Sequence, residues 1–96
     1  MTLQDFRTSI TNGVLPHGIT KELEALWEDA RGNWDTAHGI VQRMNTEDAM
    51  WIHAYLHREE GDLSNSRYWY SRTRYTMLDM SLEEEWESIT DELLHR

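Results

Sequence analysis

Two histidines stand four residues apart in this sequence, at positions 53 and 57. On a helix this spacing places their imidazole rings one turn above each other on the same face. His38 belongs to the apolar stripe of the preceding segment, and a short connection should make that segment antiparallel to the helix of His53 and His57. We therefore expect the three imidazoles to converge on a site for a divalent transition metal, with Glu60 as a further oxygen ligand one turn beyond His57.

Zinc held by three nitrogen ligands keeps an open position for water, so this site would suit a small metal- or ligand-binding protein and even an enzyme, with Asp35 or Glu60 assisting. The pattern lacks the Glu that follows the first His of a metalloprotease helix, because Ala54 stands there. The commoner role of a histidine on an apolar stripe is structural, with a hydrogen bond to a carbonyl, a Tyr or a carboxylate. The sequence leaves open whether the protein is an enzyme, and it indicates no cofactor other than such a metal.

A second group of residues could bind a partner. Trp51, Tyr55 and Arg58 share the other face of the same helix, and the next helix adds Arg67 and Tyr68. Aromatic and Arg side chains dominate binding energy where they are accessible. Our leading interpretation is therefore a protein- or peptide-binding module without catalysis, which could also form a homodimer. The alternative is that the first helix or the acidic last helix covers these residues.

The elements that must position these groups are all helices. Apolar residues recur at helical spacing along six segments, and no strand pattern competes with them. We predict one all-α domain over residues 1–96, a compact array with hairpin repeats at about 21–44 and 47–74 and an amphipathic capping helix at about 82–95. The fourth helix is apolar on more than one side, which predicts a central position. The predicted helix-capping residues are Thr20, Asn33, Thr46, Asp62 or Ser64, and Ser81, and the fifth helix is expected to reach about Tyr75.

The two central hairpins resemble each other in sequence. Placing Gly32 over Gly61 sets a period of 29 residues and aligns Ala37 with Ser66. A glycine at each turn can take the left-handed conformation that ends a helix, and a small residue leaves room for close helix packing. The turn Gly-Asn-Trp-Asp-Thr-Ala resembles that of tetratricopeptide and Sel1-like repeats, and this resemblance implies protein or peptide binding on a concave face.

A further resemblance points to a family of proteins but implies no activity. The stretch His-Ala-Tyr-Leu-His-Arg-Glu-Glu-Gly-Asp at residues 53–62, followed by Tyr-Trp-Tyr at residues 68–70, resembles a group of small bacterial proteins of unassigned function.

Charge and composition bear on which classes of partner the protein could bind and on its compartment. The chain has 18 acids against 9 bases, a net charge of −9, and no cysteine. This charge opposes phosphate backbones and anionic lipids, so we expect neither nucleic-acid nor membrane binding. With no cysteine and no visible export signal, we expect a cytoplasmic protein. Residues 64–78 hold three Arg and no acid while residues 79–96 are strongly acidic, so we expect these segments to face each other within one chain or across a dimer.

Overall fold

Six helices and no strand form along the chain, all of whose residues, 1–96, are described by the computed structural model. The prediction of an all-α array is confirmed. No helix combines the length and the apolar character that crossing a bilayer requires. In chain order the helices are α1 (Leu3–Asn12), α2 (Lys21–Ala30), α3 (Trp34–Val41), α4 (Glu47–Glu60), α5 (Leu63–Tyr70) and α6 (Leu82–Leu94).

Short polar side chains set most of the helix starts. Each accepts a hydrogen bond from an otherwise unpaired backbone N–H of the first turn, and this fixes where the helix begins. The predicted cap Asn33 is an exception, because its side chain donates to Glu28 Oε1 at 2.9 Å and makes no capping bond. The residues that do cap in this way are Thr2, Thr20, Thr46, Asp62 and Ser81.

Two helices end earlier than predicted. α3 stops at Val41 rather than Met44, and α5 stops at Tyr70 rather than near Tyr75. After Tyr70 the hydroxyl of Thr73 donates to the Tyr70 carbonyl at 2.9 Å and accepts from the Tyr75 N–H at 3.1 Å. Because these local bonds satisfy backbone groups outside a helix, they offer the chain an alternative to a further helical turn.

The fourth helix lies at the centre of the fold, as its composition predicted. Eight of its 14 residues are buried, and it packs against α2, α3, α5 and α6. Indole N–H groups fasten the terminal helices to this core: Trp86 Nε1 of α6 donates to the Leu26 carbonyl at 3.0 Å, and Trp27 Nε1 of α2 donates to Ser9 Oγ at 3.1 Å. Both bonds join a terminal helix to α2, which in turn packs against α4.

The turns of the two hairpins, α2–α3 and α4–α5, have the same geometry. Gly32 and Gly61 take left-handed φ angles of 86° and 90°, as the alignment predicted. The small residues Ala37 and Ser66 are fully buried, and Ser66 Oγ donates to the Ala54 carbonyl at 2.7 Å. α5 therefore lies close against α4. The relation to tetratricopeptide and Sel1-like repeats stays a prediction.

Replacing Gly61 and Gly39 by alanine should change the stability in opposite directions, because the first has a left-handed backbone and the second is helical. Gly61→Ala is expected to lower the free energy of unfolding by about 1–2 kcal/mol, because an L side chain is strained at φ 90°. Gly39→Ala should raise it by about 0.5–1 kcal/mol, since Gly39 lies within α3 and an added Cβ would meet nothing within 4 Å. Urea unfolding of both variants measures the two shifts. Shifts of the same sign would contradict this assignment of backbone strain.

Candidate functional site

Three histidine rings meet where α3 packs on α4. His38 comes from α3, and His53 and His57 come from successive turns of α4. The ring centroids are 4.7, 5.2 and 4.9 Å apart, and the three residues offer nitrogen atoms that all lie within 4.8 Å of one another. His53 and His57 are buried and His38 is half-buried. The folded chain thus brings together the three imidazoles that the sequence singled out.

The shortest distance in the cluster matches the spacing of metal ligands. His38 Nε2 and His53 Nε2 are 3.1 Å apart. Two nitrogens bound to one tetrahedral zinc at roughly 2.0–2.1 Å would be separated by about 3.3 Å. Without a metal, one of the two Nε2 atoms carries the proton that it donates to the other. Shared coordination of an ion would replace this hydrogen bond, with the proton leaving Nε2 and both Nε2 lone pairs turned to the ion.

Tryptophans hold two of the rings in place. The indole of Trp34 stacks on His38 with centroids 4.8 Å apart, and that of Trp69 stacks on His53 at 4.0 Å. Trp34 is itself fixed, since its Nε1 donates to the Leu56 carbonyl at 2.9 Å. The imidazoles are therefore oriented by aromatic packing rather than by a hydrogen bond to a backbone carbonyl.

Glu60 takes a different position from the predicted one. Its Oε2 lies 2.7 Å from His57 Nδ1, so Glu60 holds the back of the ring and leaves Nε2 as the free nitrogen. Metal-binding histidines commonly donate their second ring N–H to a carboxylate in this manner. Glu60 and Asp62, both exposed, also form an acidic group around His57. The geometry makes Glu60 an orienting residue for His57.

Burial favours the neutral form of two of the three histidines, His53 and His38. Burial, followed by the interactions with His38 and His57, lowers the pKa of His53 to about 4. Burial also lowers the pKa of His38, against which the carboxylates of Glu60 and Asp35 act in the opposite direction. A metal can bind only a deprotonated ring nitrogen. At neutral pH these two rings are uncharged, so a change of tautomer is enough to give each of them a deprotonated Nε2.

The residues predicted to contact a partner do not form one open face. Trp51 is buried and stacks on Tyr75 with centroids 3.7 Å apart, and Tyr55 is 3% exposed. Arg58 donates to Glu85 Oε1 of α6 at 2.7 Å and to the Met80 carbonyl. The alternative prediction is that the first or the last helix covers these residues: α6 does contact Arg58, whereas Tyr75, from the segment between α5 and α6, covers Trp51.

Arg67 and Tyr68 remain on the surface of α5, where Tyr68 is 52% exposed. Arg72 places its guanidinium over the rings of Tyr68 and Trp69, 5.9 and 5.4 Å from their centroids. Arg74 pairs with Glu47 of α4 at 3.3 Å. Within one chain, then, the arginines of residues 64–78 do not pair with the acidic segment that follows them.

Sequence reasoning did not assign Trp34 and Trp69 to the histidine cluster. Two signals could have done so. Trp34 precedes His38 by four residues, which places the two rings on one face of α3. The small residue Ser66, expected to lie close against α4, sets a register in the hairpin that carries Trp69 next to His53.

Fold and site together define an all-α protein of helical hairpins with a three-histidine cluster between its third and fourth helices. Comparisons with models of protein families, with curated proteins and with solved structures find no match to this chain. The functional assignment therefore depends on the geometry of its own residues.

Proposed function

We propose that the protein binds one divalent transition-metal ion, best fitted by zinc, through His38, His53 and His57. The observation that carries the proposal is the convergence of three ring nitrogens within 4.8 Å, with 3.1 Å between the closest pair. The partner of each of these two nitrogens is another imidazole rather than a carbonyl or a hydroxyl group. Both atoms can therefore turn from each other to a shared ion without leaving a buried polar group unpaired.

The donor set favours zinc among the common ions. Three imidazoles suit zinc, copper or nickel, whereas magnesium and calcium prefer oxygen ligands. Sites with three protein ligands and an open fourth position are typical of catalytic rather than structural zinc, and zinc in such a site supplies an activated water molecule. Glu60 supports the assignment because it orients His57, and the stacked indoles of Trp34 and Trp69 support it because they fix the other two rings.

Calorimetric titration with zinc chloride at neutral pH tests this proposal. We expect one zinc per chain, and we expect His38→Gln or His53→Gln to weaken binding by at least 100-fold. Glu60→Gln, which loses the contact behind His57, should weaken it about 10- to 100-fold. His17→Gln is the matched control, because His17 is exposed and outside the cluster. Equal affinity in all four variants, each shown to be folded by circular dichroism, would refute the proposal, as would no binding by the wild type.

A second candidate function, binding of a protein or peptide partner, is favoured by the surface of α5. Arg67 and Tyr68 are exposed there beside Arg72, in a stretch without a single acid. Such a surface suits an acidic segment, and the outer face of α6 in a second copy of the chain is one. The resemblance to tetratricopeptide and Sel1-like repeats agrees with partner binding. We place both functions in the cytoplasm, since a chain without cysteine needs no oxidising compartment.

Sedimentation velocity at low and high salt tests the partner hypothesis with the chain itself as probe. A dimer at low salt that dissociates in high salt, and that the charge reversal Arg67→Glu abolishes, would support it. A chain that stays monomeric in low salt at every concentration would exclude the second copy as the partner.

A further inference from the structure

A cavity lies away from the histidine cluster, among α1, α2, α4 and α6. Its volume is about 490 Å³, within the range of small-molecule sites. Tyr55 and Glu59 reach it from α4, two residues beyond His53 and His57 respectively, which puts them on the opposite side of that helix. A ligand here would not touch the histidines, so binding in this cavity does not depend on metal binding by the cluster.

Two of the carboxyl groups that line this cavity, those of Asp29 and Glu59, lie next to each other. Asp29, near the end of α2, is only 7% exposed, and Glu59 of α4 carries an oxygen, Oε1, that is buried without a hydrogen-bond partner. The side chains of Asp29 and Glu59 lie within hydrogen-bonding reach of each other. Two ionised carboxylates cannot hydrogen-bond to each other, so the pair needs a proton or another cation between them.

The charges around the pair do not supply that cation. Arg58, the neighbour of Glu59, is bound to Glu85 of α6. Arg7 of α1 pairs with Glu87 at 2.8 Å and lies over the Trp86 ring, 5.3 Å from its centroid. The cavity also contains the acid Glu83. Three of the four charged side chains that line it are therefore acids.

Burial raises the pKa of both carboxyl groups, and that of Glu59 reaches about 8. Desolvation is the largest cause, followed by the interaction with Asp29. In the free protein at neutral pH, Glu59 therefore keeps its proton. A positively charged group entering the cavity would take the place of that proton.

We propose that this cavity binds a small organic cation, a primary ammonium group on an apolar body, with the ammonium held between Asp29 and Glu59. An ammonium group has three N–H donors, enough to bind oxygens of both the Asp29 and the Glu59 carboxylate. The rings of Tyr55 and Trp86 supply the apolar wall, and aromatic faces favour a nearby cation. On binding, the Glu59 carboxyl group releases one proton to solvent and the ammonium keeps all of its own.

Benzylamine is the probe, with benzyl alcohol as its neutral analogue and benzoate as its anionic one. Calorimetric titrations near pH 7 in two buffers of different ionisation enthalpy give both the affinity and the number of protons released. We expect benzylamine to bind at least tenfold more tightly than benzyl alcohol, benzoate not to bind, and close to one proton to be released per benzylamine bound.

Substitutions locate the binding site. Glu59→Gln should keep the fold, because an amide resembles the protonated carboxyl group, yet weaken benzylamine binding at least tenfold and abolish the proton release. Asp29→Asn should weaken it similarly. Glu24→Gln, which removes a charge from α2 outside the cavity, should change neither quantity. Equal binding of benzylamine and benzyl alcohol, wild-type binding by Glu59→Gln, or no benzylamine binding would each overturn the proposal and leave Asp29 and Glu59 as a proton-sharing structural pair.

Discussion

Zinc at a free concentration 100 times its dissociation constant is expected to stabilise the folded protein by about 2.7 kcal/mol. For a domain of this size, that free energy corresponds to a rise in the midpoint of thermal unfolding on the order of ten degrees. The gain arises because only the folded chain brings His38, His53 and His57 within ligand distance of one another. Differential scanning calorimetry with and without zinc measures it. His53→Gln should remove the rise, and His17→Gln should retain it.

The same experiment has a defined pH dependence. Protons compete with zinc for imidazole nitrogens, so the zinc-induced rise should shrink as the pH falls below about 6.5. The metal-free protein should also lose stability in acid. The pKa of His53 is about 4 in the folded chain, which is below its unfolded value of about 6.5. Between these two values the unfolded chain binds a proton that the folded chain does not, so the free energy of unfolding should fall as the pH falls from about 6.5 towards 4. A rise in stability on acidification that His53→Gln abolishes would contradict this assignment.

Arg58→Ala is expected to cost roughly 3–5 kcal/mol of folding stability, because it leaves a buried carboxylate without its counter-ion. The Glu85 side chain is 6% exposed and loses its 2.7 Å contact with Arg58 Nη1. Urea unfolding measures the cost. Arg74→Ala is the matched control, since the Arg74–Glu47 pair is exposed and should contribute far less to stability.

A second substitution separates the effect of the unpaired Glu85 charge from that of the packing lost with the Arg58 side chain. Burial raises the pKa of Glu85, so without Arg58 this carboxyl group should take up a proton more readily and Arg58→Ala should cost less in acid than in alkali. Adding Glu85→Gln to Arg58→Ala should recover part of the loss, because an amide hydrogen-bonded to Tyr70 tolerates burial better than an unpaired carboxylate. An equal cost for Arg58→Ala and Arg74→Ala would contradict the role of Arg58 as an internal ion-pair partner.

Local signals predicted the helices well. Apolar spacing placed all six, and most predicted caps accept the expected backbone hydrogen bond, because capping involves residues only three positions apart. The convergence of the histidines was predictable for a similar reason. His53 and His57 share a helix face, and the short connection after α3 restricts where His38 can lie. Each of these inferences uses only neighbouring elements.

Contacts between residues far apart in the sequence could not be predicted. Arg58 is 27 residues from Glu85, so the sequence allowed cover of Arg58 by the last helix but did not identify Glu85 as its partner. Asp29 and Glu59 are 30 residues apart, and each alone has the pattern of a solvated helical acid. Their shared cavity forms only when four helices assemble. Helix ends also depend on side-chain bonds, such as those of Thr73, that compete closely with one more helical turn.

X-ray absorption at the zinc edge of the zinc-loaded protein tests the central claim most directly, because it reports the atoms bound to the metal. We predict three nitrogen ligands at about 2.0–2.1 Å with the outer-shell scattering of imidazole, plus one further light atom at the open position. A spectrum of oxygen ligands with little or no imidazole scattering would contradict the claim. It would show that zinc binds surface carboxylates rather than the cluster of His38, His53 and His57.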